Sequence, residues 1–156
     1  MTATTARAAD LAERELRITR VLDAPRALVF KAWTQPEHLV RWWGPHGFTL
    51  PSCELEVRPG GRFACDMRSP EGTLHRVRGV YREIAPPGRL VFTWAWLDES
   101  DTPGHETLVT VTFEEQGEKT RLTLHQAIFE SVGARDSHHH GWSETLERLA
   151  AHLAGA

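Results

Sequence analysis

Between residues 53 and 129 the chain passes through six turn-bounded alternating stretches with no helical pattern among them, and only then reaches one long amphipathic segment. Cys53 to Arg58 and Arg62 to Arg68 interleave apolar and polar residues and are joined by Pro59-Gly60-Gly61, a hairpin signal. Thr73 to Ile84, Leu90 to Leu97, Glu106 to Glu115 and Thr120 to Phe129 follow, each bounded by turn residues or a polar loop. Such a succession excludes strand–helix–strand repeats and predicts an antiparallel meander. Gly133 to Leu153 is then a helix, because Trp142, Leu146, Leu149 and Leu153 recur at spacings of 4, 3 and 4 as one stripe.

Ahead of the meander, Leu16 to Leu22 reads as a further strand. Pro25 to Thr34 and Pro36 to Trp42 read as two short helices, each opened by a proline that suits a first helical turn. The expected class is α+β: a curved antiparallel sheet of about six to seven strands around a long C-terminal helix, the one element large enough to cover its apolar face. Residues 1–14 show little periodicity and are expected to form a flexible arm, with residues 15–156 a single domain.

Composition narrows the function. Eighteen basic against 21 acidic residues give a net charge of −3, which offers no electrostatic footprint for nucleic acid or an anionic membrane. No apolar run approaches membrane-spanning length, and the N-terminus lacks the apolar core of a secretory signal. Two cysteines make no disulfide framework, so a cytoplasmic protein is expected. Six Trp and six Phe against one Tyr supply apolar aromatic mass suited to a core or a pocket.

Alternation sorts the strands onto two faces. Cys53, Leu55, Val57, Phe63, Cys65, Met67, Leu90, Phe92, Trp94, Trp96, Val109, Val111, Phe113, Leu122 and Leu124 are expected to face the helix. Glu54, Glu56, Arg62, Asp66, Thr93, Thr110, Thr112, Arg121 and Thr123 are expected to face mostly water. In the fourth stretch Arg76, Arg78 and Arg82 claim the wet face, which turns His75, Val77, Gly79 and Tyr81 inward. The candidate ligand-binding set is therefore Phe63, Cys65, Met67, His75, Tyr81, Phe92, Trp94, Trp96 and Val109, with Trp142 and Leu146 from the helix. An apolar cavity with a few convergent polar groups is how small-molecule sites are generally built. Each of these side chains is equally explained as core. Gly141, which costs a helix about 1 kcal/mol relative to Ala, is explained either by close approach of a strand or by room for a ligand beside Trp142.

Other constellations carry less. His138-His139-His140 are adjacent, so they do not share a helix face and make a poor metal site; His139, three residues before Trp142, is the one placed toward a pocket mouth. Cys53 and Cys65 fall opposite each other across the first hairpin, as two buried thiols or a disulfide. No nucleophile elbow, zinc-protease helix or phosphate loop is present. No catalytic residue, metal ligand or cofactor is assigned.

Several short motifs recur together in one family. Ile18 to Arg26, Ala32-Trp33-Thr34, Trp42-Trp43-Gly44-Pro45, Arg58-Pro-Gly-Gly-Arg62, Gly79 to Ile84, Leu90 to Thr93 and Gly141-Trp142 resemble, in order and spacing, the START-like (SRPBCC) superfamily. The resemblance is to the group related to the C-terminal domain of the activator of the ninety-kilodalton heat-shock protein's ATPase, and it spans residues 16–154. It implies a helix-grip fold enclosing a cavity, in a superfamily of lipid carriers, polyketide cyclases, hormone receptors and stress-related proteins. Three functions follow as expectations. The first is binding of a small apolar or aromatic ligand under the helix, with His75 and Tyr81 orienting it. The second is a cyclase-like reaction using His75 or Tyr81 as proton donor or acceptor. The third is a partner role, with a chaperone or another protein, through the Trp42-Trp43-Gly44-Pro45 region. The co-chaperone's separate chaperone-binding domain has no counterpart within 156 residues.

Overall fold

The computed structural model describes residues 12–155. Seven strands, β1 (Leu16–Leu22), β2 (Thr49–Leu55), β3 (Arg62–Arg68), β4 (Leu74–Ala85), β5 (Arg89–Trp96), β6 (Thr107–Gln116) and β7 (Lys119–Ala127), form one sheet. Two short helices, α1 (Arg26–Thr34) and α2 (Pro36–Leu39), follow β1, and the long helix α3 (Val132–Ala154) closes the fold. The sheet order is β1-β7-β6-β5-β4-β3-β2, antiparallel at every step. Only β1 is displaced from the meander: it adds beside β7 and so places α1 and α2 across one end of the concave face.

The sheet bends where its ladder is interrupted. A register shift separates Tyr81 from Glu83 in the β4–β5 pair, and another separates Thr49 from Ser52 in the β2–β3 pair. Bulges of this kind bend a strand and increase its twist. At the first, Thr93 is buried and its hydroxyl accepts the Val80 N–H at 2.8 Å, although alternation expects Thr93 toward water. Gly79 is required beside it. A Cβ there would stand 2.0 Å from the Thr93 carbonyl oxygen and 2.2 Å from the Phe63 ring, which lies across the strand from it.

Three local expectations are corrected. β2 begins at Thr49 rather than Cys53, because Pro51 is tolerated on an edge strand, and it ends at Leu55. Val57 therefore falls in the turn and is 39% exposed instead of facing the helix. The second short helix stops at Leu39. The expected N-terminal arm lies mostly outside the described residues; at its end the Arg14 carbonyl accepts the Phe129 N–H at 2.7 Å and the Arg14 guanidinium donates to the Phe129 carbonyl at 3.3 Å.

The helix is capped and then buried along its predicted stripe. The Ser131 hydroxyl accepts the Ala134 N–H at 3.0 Å, satisfying one of the donors that a helix start leaves open. Trp142, Leu146, Leu149 and Leu153 pack into the core with Thr145 beside them. A buried polar chain fixes the helix on the sheet. Trp142 Nε1–H donates to Gln126 Oε1 at 2.7 Å, Gln126 Nε2–H donates to Thr107 Oγ1 at 2.8 Å, and the Thr107 hydroxyl reaches the Trp94 carbonyl at 3.4 Å. Because each group has its partner, this chain links α3 to β7, β6 and β5 without an orphaned dipole.

Candidate functional site

The concave face is divided in two. At one end α1 and α2 cover the sheet, and Trp33 packs edge-on against Trp42 and Trp43 at centroid distances of 4.9 and 6.0 Å. Trp42 is fully buried and its indole N–H donates to the Ala32 carbonyl at 3.1 Å. Only about 20 Å³ of space is left there, among Trp33, Leu39, Trp43, Leu55, Phe63, Cys65, Tyr81, Leu90 and Phe92. That is room for one water molecule.

At the other end a cavity of about 430 Å³ lies between the N-terminal half of α3 and the sheet. β5 contributes Trp94, Trp96 and the following Leu97; β3 gives Met67; the start of β4 gives Leu74, His75 and Arg76. Trp43, Gly44, Pro45 and Phe48 come from the loop ahead of β2, and Ser137, His138, Gly141, Trp142 and Thr145 come from α3. The volume lies within the range of small-molecule pockets.

Three parts of the wall are held in place by hydrogen bonds. Trp142 is fixed by Gln126, as described. Trp96 Nε1–H donates to His138 Nε2 at 3.1 Å, and because an indole nitrogen is only a donor, that imidazole nitrogen must accept. His138 Nδ1 then carries the proton and donates to the Ala134 carbonyl at 3.0 Å. Burial pushes the His138 pKa below its usual value, consistent with a neutral ring held in one tautomer. The loop wall is held from the helix: Arg148 donates to the carbonyls of Trp43, Gly44 and Pro45 at 3.0–3.2 Å. On the rim, His46 meets Glu147 at 3.0 Å and its backbone N–H donates to Glu144 at 3.1 Å.

The residues singled out in the sequence separate accordingly. Met67, His75, Trp94, Trp96 and Trp142 border the large cavity. Phe63, Cys65, Tyr81 and Phe92 border only the small one, and Val109 and Leu146 are buried in solid core. His75 and Tyr81 are thus not neighbours in one site. His75 is exposed at the cavity mouth, with its ring 5.7 Å from Phe48 and 6.3 Å from Trp96, while burial raises the Tyr81 phenol far above its ordinary pKa. His138, not His139, reaches the cavity; His139 and His140 are exposed, with His140 3.3 Å from Glu144. Trp42 and Trp43 are buried, so neither offers a surface to a partner.

Gly141 is explained by its neighbours. A Cβ on it would meet only Pro45 Cγ, at an ordinary 3.7 Å, so no strand presses on the helix there and the missing side chain leaves open space in the cavity wall. Cys53 and Cys65 face each other in register as free thiols. A hydrogen bond between them lowers Cys53 and, together with burial, raises Cys65. Among the described residues no group of three His, Cys, Asp or Glu side chains is placed to hold a metal, and no helix is long and apolar enough to cross a membrane.

Comparison with known proteins agrees with this architecture. The family model described as activator of Hsp90 ATPase homolog 1-like protein matches residues 23–154. Among solved structures, the AHSA1 protein of Silicibacter pomeroyi is 30% identical with a TM-score of 0.82, over 90% of this chain and 97% of that one. A protein from Arthrobacter aurescens is 29% identical with a TM-score of 0.82, over 94% of this chain and 90% of that one. One from Nitrosomonas europaea is 28% identical with a TM-score of 0.78, over 92% and 96%. No curated protein matches. The chain belongs to the activator of Hsp90 ATPase homolog 1-like family.

Proposed function

We propose that this member of the family is a binding protein for a small apolar or aromatic molecule, held in the large cavity between α3 and the second half of β5. The observation that carries this reading is the cavity itself: about 430 Å³ bordered by four indoles, with no carboxylate side chain on its walls. Space of that size beside tightly packed aromatics is costly to leave unfilled in a core, because its lining forgoes dispersion contacts. Here it is kept open by glycine at position 141 and by hydrogen bonds that hold Trp96, Trp142 and the 43–45 loop apart.

Two other readings find less support. A cyclase-like reaction needs a proton donor and acceptor converging on one substrate, whereas His75 and Tyr81 border different cavities. A chaperone-linked or other partner role loses the Trp42-Trp43 pair as a docking feature.

The test is native mass spectrometry of the purified protein, followed by denaturing extraction. The expected result is a stoichiometric small molecule of apolar or aromatic character, or saturable uptake of one from a panel of such compounds with a change in tryptophan fluorescence. An empty protein that takes up nothing from the panel contradicts the proposal.

A further inference from the structure

We infer that Cys53 and Cys65 are a redox pair: a peroxide oxidises the Cys53 sulfur at the edge of the sheet, and Cys65 then closes a reversible disulfide across the β2–β3 hairpin. This modification site stands apart from the large cavity and from whatever the cavity binds.

Register brings the two sulfurs together. Cys53 of β2 lies directly opposite Cys65 of β3, with Glu54 opposite Ala64 and Leu55 opposite Phe63. One position beyond, the Glu56 N–H donates to the Arg62 carbonyl at 2.9 Å, which marks 56 and 62 as a hydrogen-bonded position. Bonded and non-bonded positions alternate along an antiparallel pair, so 54 and 64 are bonded and Cys53 and Cys65 fall on the non-bonded kind. Residues opposed there stand closest, with Cα atoms about 4.5 Å apart, inside the range of about 4.4–6.8 Å that a disulfide spans. Both side chains leave the sheet on its core side, Cys65 within the core and Cys53 packed against it. Their thiols are hydrogen-bonded to each other, and the chain has no third cysteine to compete.

The surroundings assign the roles. β2 is an edge strand, and Cys53 on it is half-buried, within reach of a molecule as small as a peroxide, whereas Cys65 is 1% exposed. The Cys65 S–H donates to the Cys53 sulfur. That bond favours the Cys53 thiolate and outweighs burial and the neighbouring Glu54 carboxylate, which act the other way. The thiolate is the form of cysteine that reacts. It attacks one oxygen of hydrogen peroxide, the O–O bond breaks, and the departing oxygen takes up a proton and leaves as water. Cys53 is then a sulfenic acid. The Cys65 sulfur attacks it, the S–S bond forms as the S–O bond breaks, and hydroxide leaves with the Cys65 proton as a second water. Two electrons pass from the thiols to the peroxide, and a dithiol reductant restores them.

The folded protein is treated with a small excess of hydrogen peroxide, then denatured, alkylated and analysed by intact-mass spectrometry. The expected product is a monomer that has lost two hydrogens and takes up no alkylating reagent. After dithiothreitol, it should take up one reagent at each cysteine. Cys65→Ser should stop at the sulfenic acid, trapped by dimedone at residue 53, and Cys53→Ser should be oxidised at least about tenfold more slowly than the wild type. Should either variant fail to fold, peptide mapping of partly oxidised wild type replaces it, with dimedone expected on Cys53 and not on Cys65. Alkylation of both cysteines after peroxide, a sulfinic acid at Cys53 without a disulfide, or a disulfide-linked dimer each overturns the pair. Dimedone on Cys65, or an unchanged oxidation rate in Cys53→Ser, overturns Cys53 as the attacking sulfur.

Discussion

β5 supplies both halves of the concave face, and the two halves behave differently. Its inward residues Leu90 and Phe92 border a space of about 20 Å³, while Trp94 and Trp96, four residues or about 13 Å further along the strand, border one of about 430 Å³. Nothing within the strand distinguishes them, since both halves alternate and both are aromatic. The difference lies in what lies opposite. Over Leu90 and Phe92, α1 and α2 deliver Trp33 and Leu39, and the rings of Trp33, Trp42 and Trp43 interlock. Over Trp94 and Trp96, α3 presents Ser137, His138 and Gly141, and its one large residue, Trp142, is drawn toward Gln126. An aromatic pattern in a strand thus marks the inner face, and the opposing element determines whether that face is filled.

The sharpest way to break this contrast is to truncate one indole at each end. Trp42→Ala, at the filled end, is expected to cost about 3–5 kcal/mol, because the cavity it leaves cannot collapse. Trp96→Ala, at the open end, is expected to cost less than about 2 kcal/mol, since the side chain is half-buried and gives up one hydrogen bond. Urea unfolding of both variants measures the pair, and equal losses would mean that the two ends are packed alike.

Gln126→Leu comes next. It leaves the buried Trp142 N–H without its acceptor and removes the donor to the Thr107 oxygen, at an expected cost of about 1–3 kcal/mol. Trp142 is then free to swing into the open cavity, so probe binding should weaken together with stability. A variant that loses stability but binds normally would show that the chain anchors the helix without keeping the cavity open.

Gly141→Ala should separate the two properties. With only Pro45 at ordinary contact distance, the added methyl is tolerated and the helix gains up to about 1 kcal/mol. The same methyl enters the cavity, so binding should weaken. Thermal unfolding and a fluorescence titration of this variant give opposite signs if the account holds.

The smallest effect is expected from pH. Burial lowers His138, and burial with His38 and Arg41 nearby lowers His152, both from a usual value of 6.5. A base whose pKa is depressed by folding binds its proton more readily in the unfolded chain. Its contribution is therefore complete above about pH 6.5 and declines as the pH falls toward the folded values. The melting temperature should be level above neutrality and decline below it, less steeply in His138→Gln.

The fold was almost entirely legible because it rests on two periods that any residue pattern displays. Period-two alternation placed six of the seven strands nearly to the residue, and the Trp142–Leu153 stripe placed α3. The exception was β2, where Pro51 reads as a break although an edge strand accommodates it. The site was legible only where periodic elements build it: Met67, Trp94, Trp96 and Trp142 lie on its walls. Gly44, Pro45 and Phe48 had no period to reveal them, because they come from a loop. His138 had one that was overlooked, since it lies four residues before Trp142 on the same stripe. Gln126 went unnoticed as well, although it is a polar residue in register with the inward Leu122 and Leu124. Tyr81 and His75 were grouped in error because alternation assigns a face and says nothing about position along a strand that spans 12 residues.

The chain has two methionines, and Met67 is the one on the cavity wall, so carbon-13 labelling of the methionine methyls gives a direct probe of occupancy. Titrated with 9-fluorenone, the Met67 methyl resonance should shift saturably through the ring current of the bound molecule. The Trp33 N–H resonance, at the filled end, should not move. A Met67 signal that stays fixed, or a Trp33 signal that moves in its place, would contradict the assignment of the open end as the binding site.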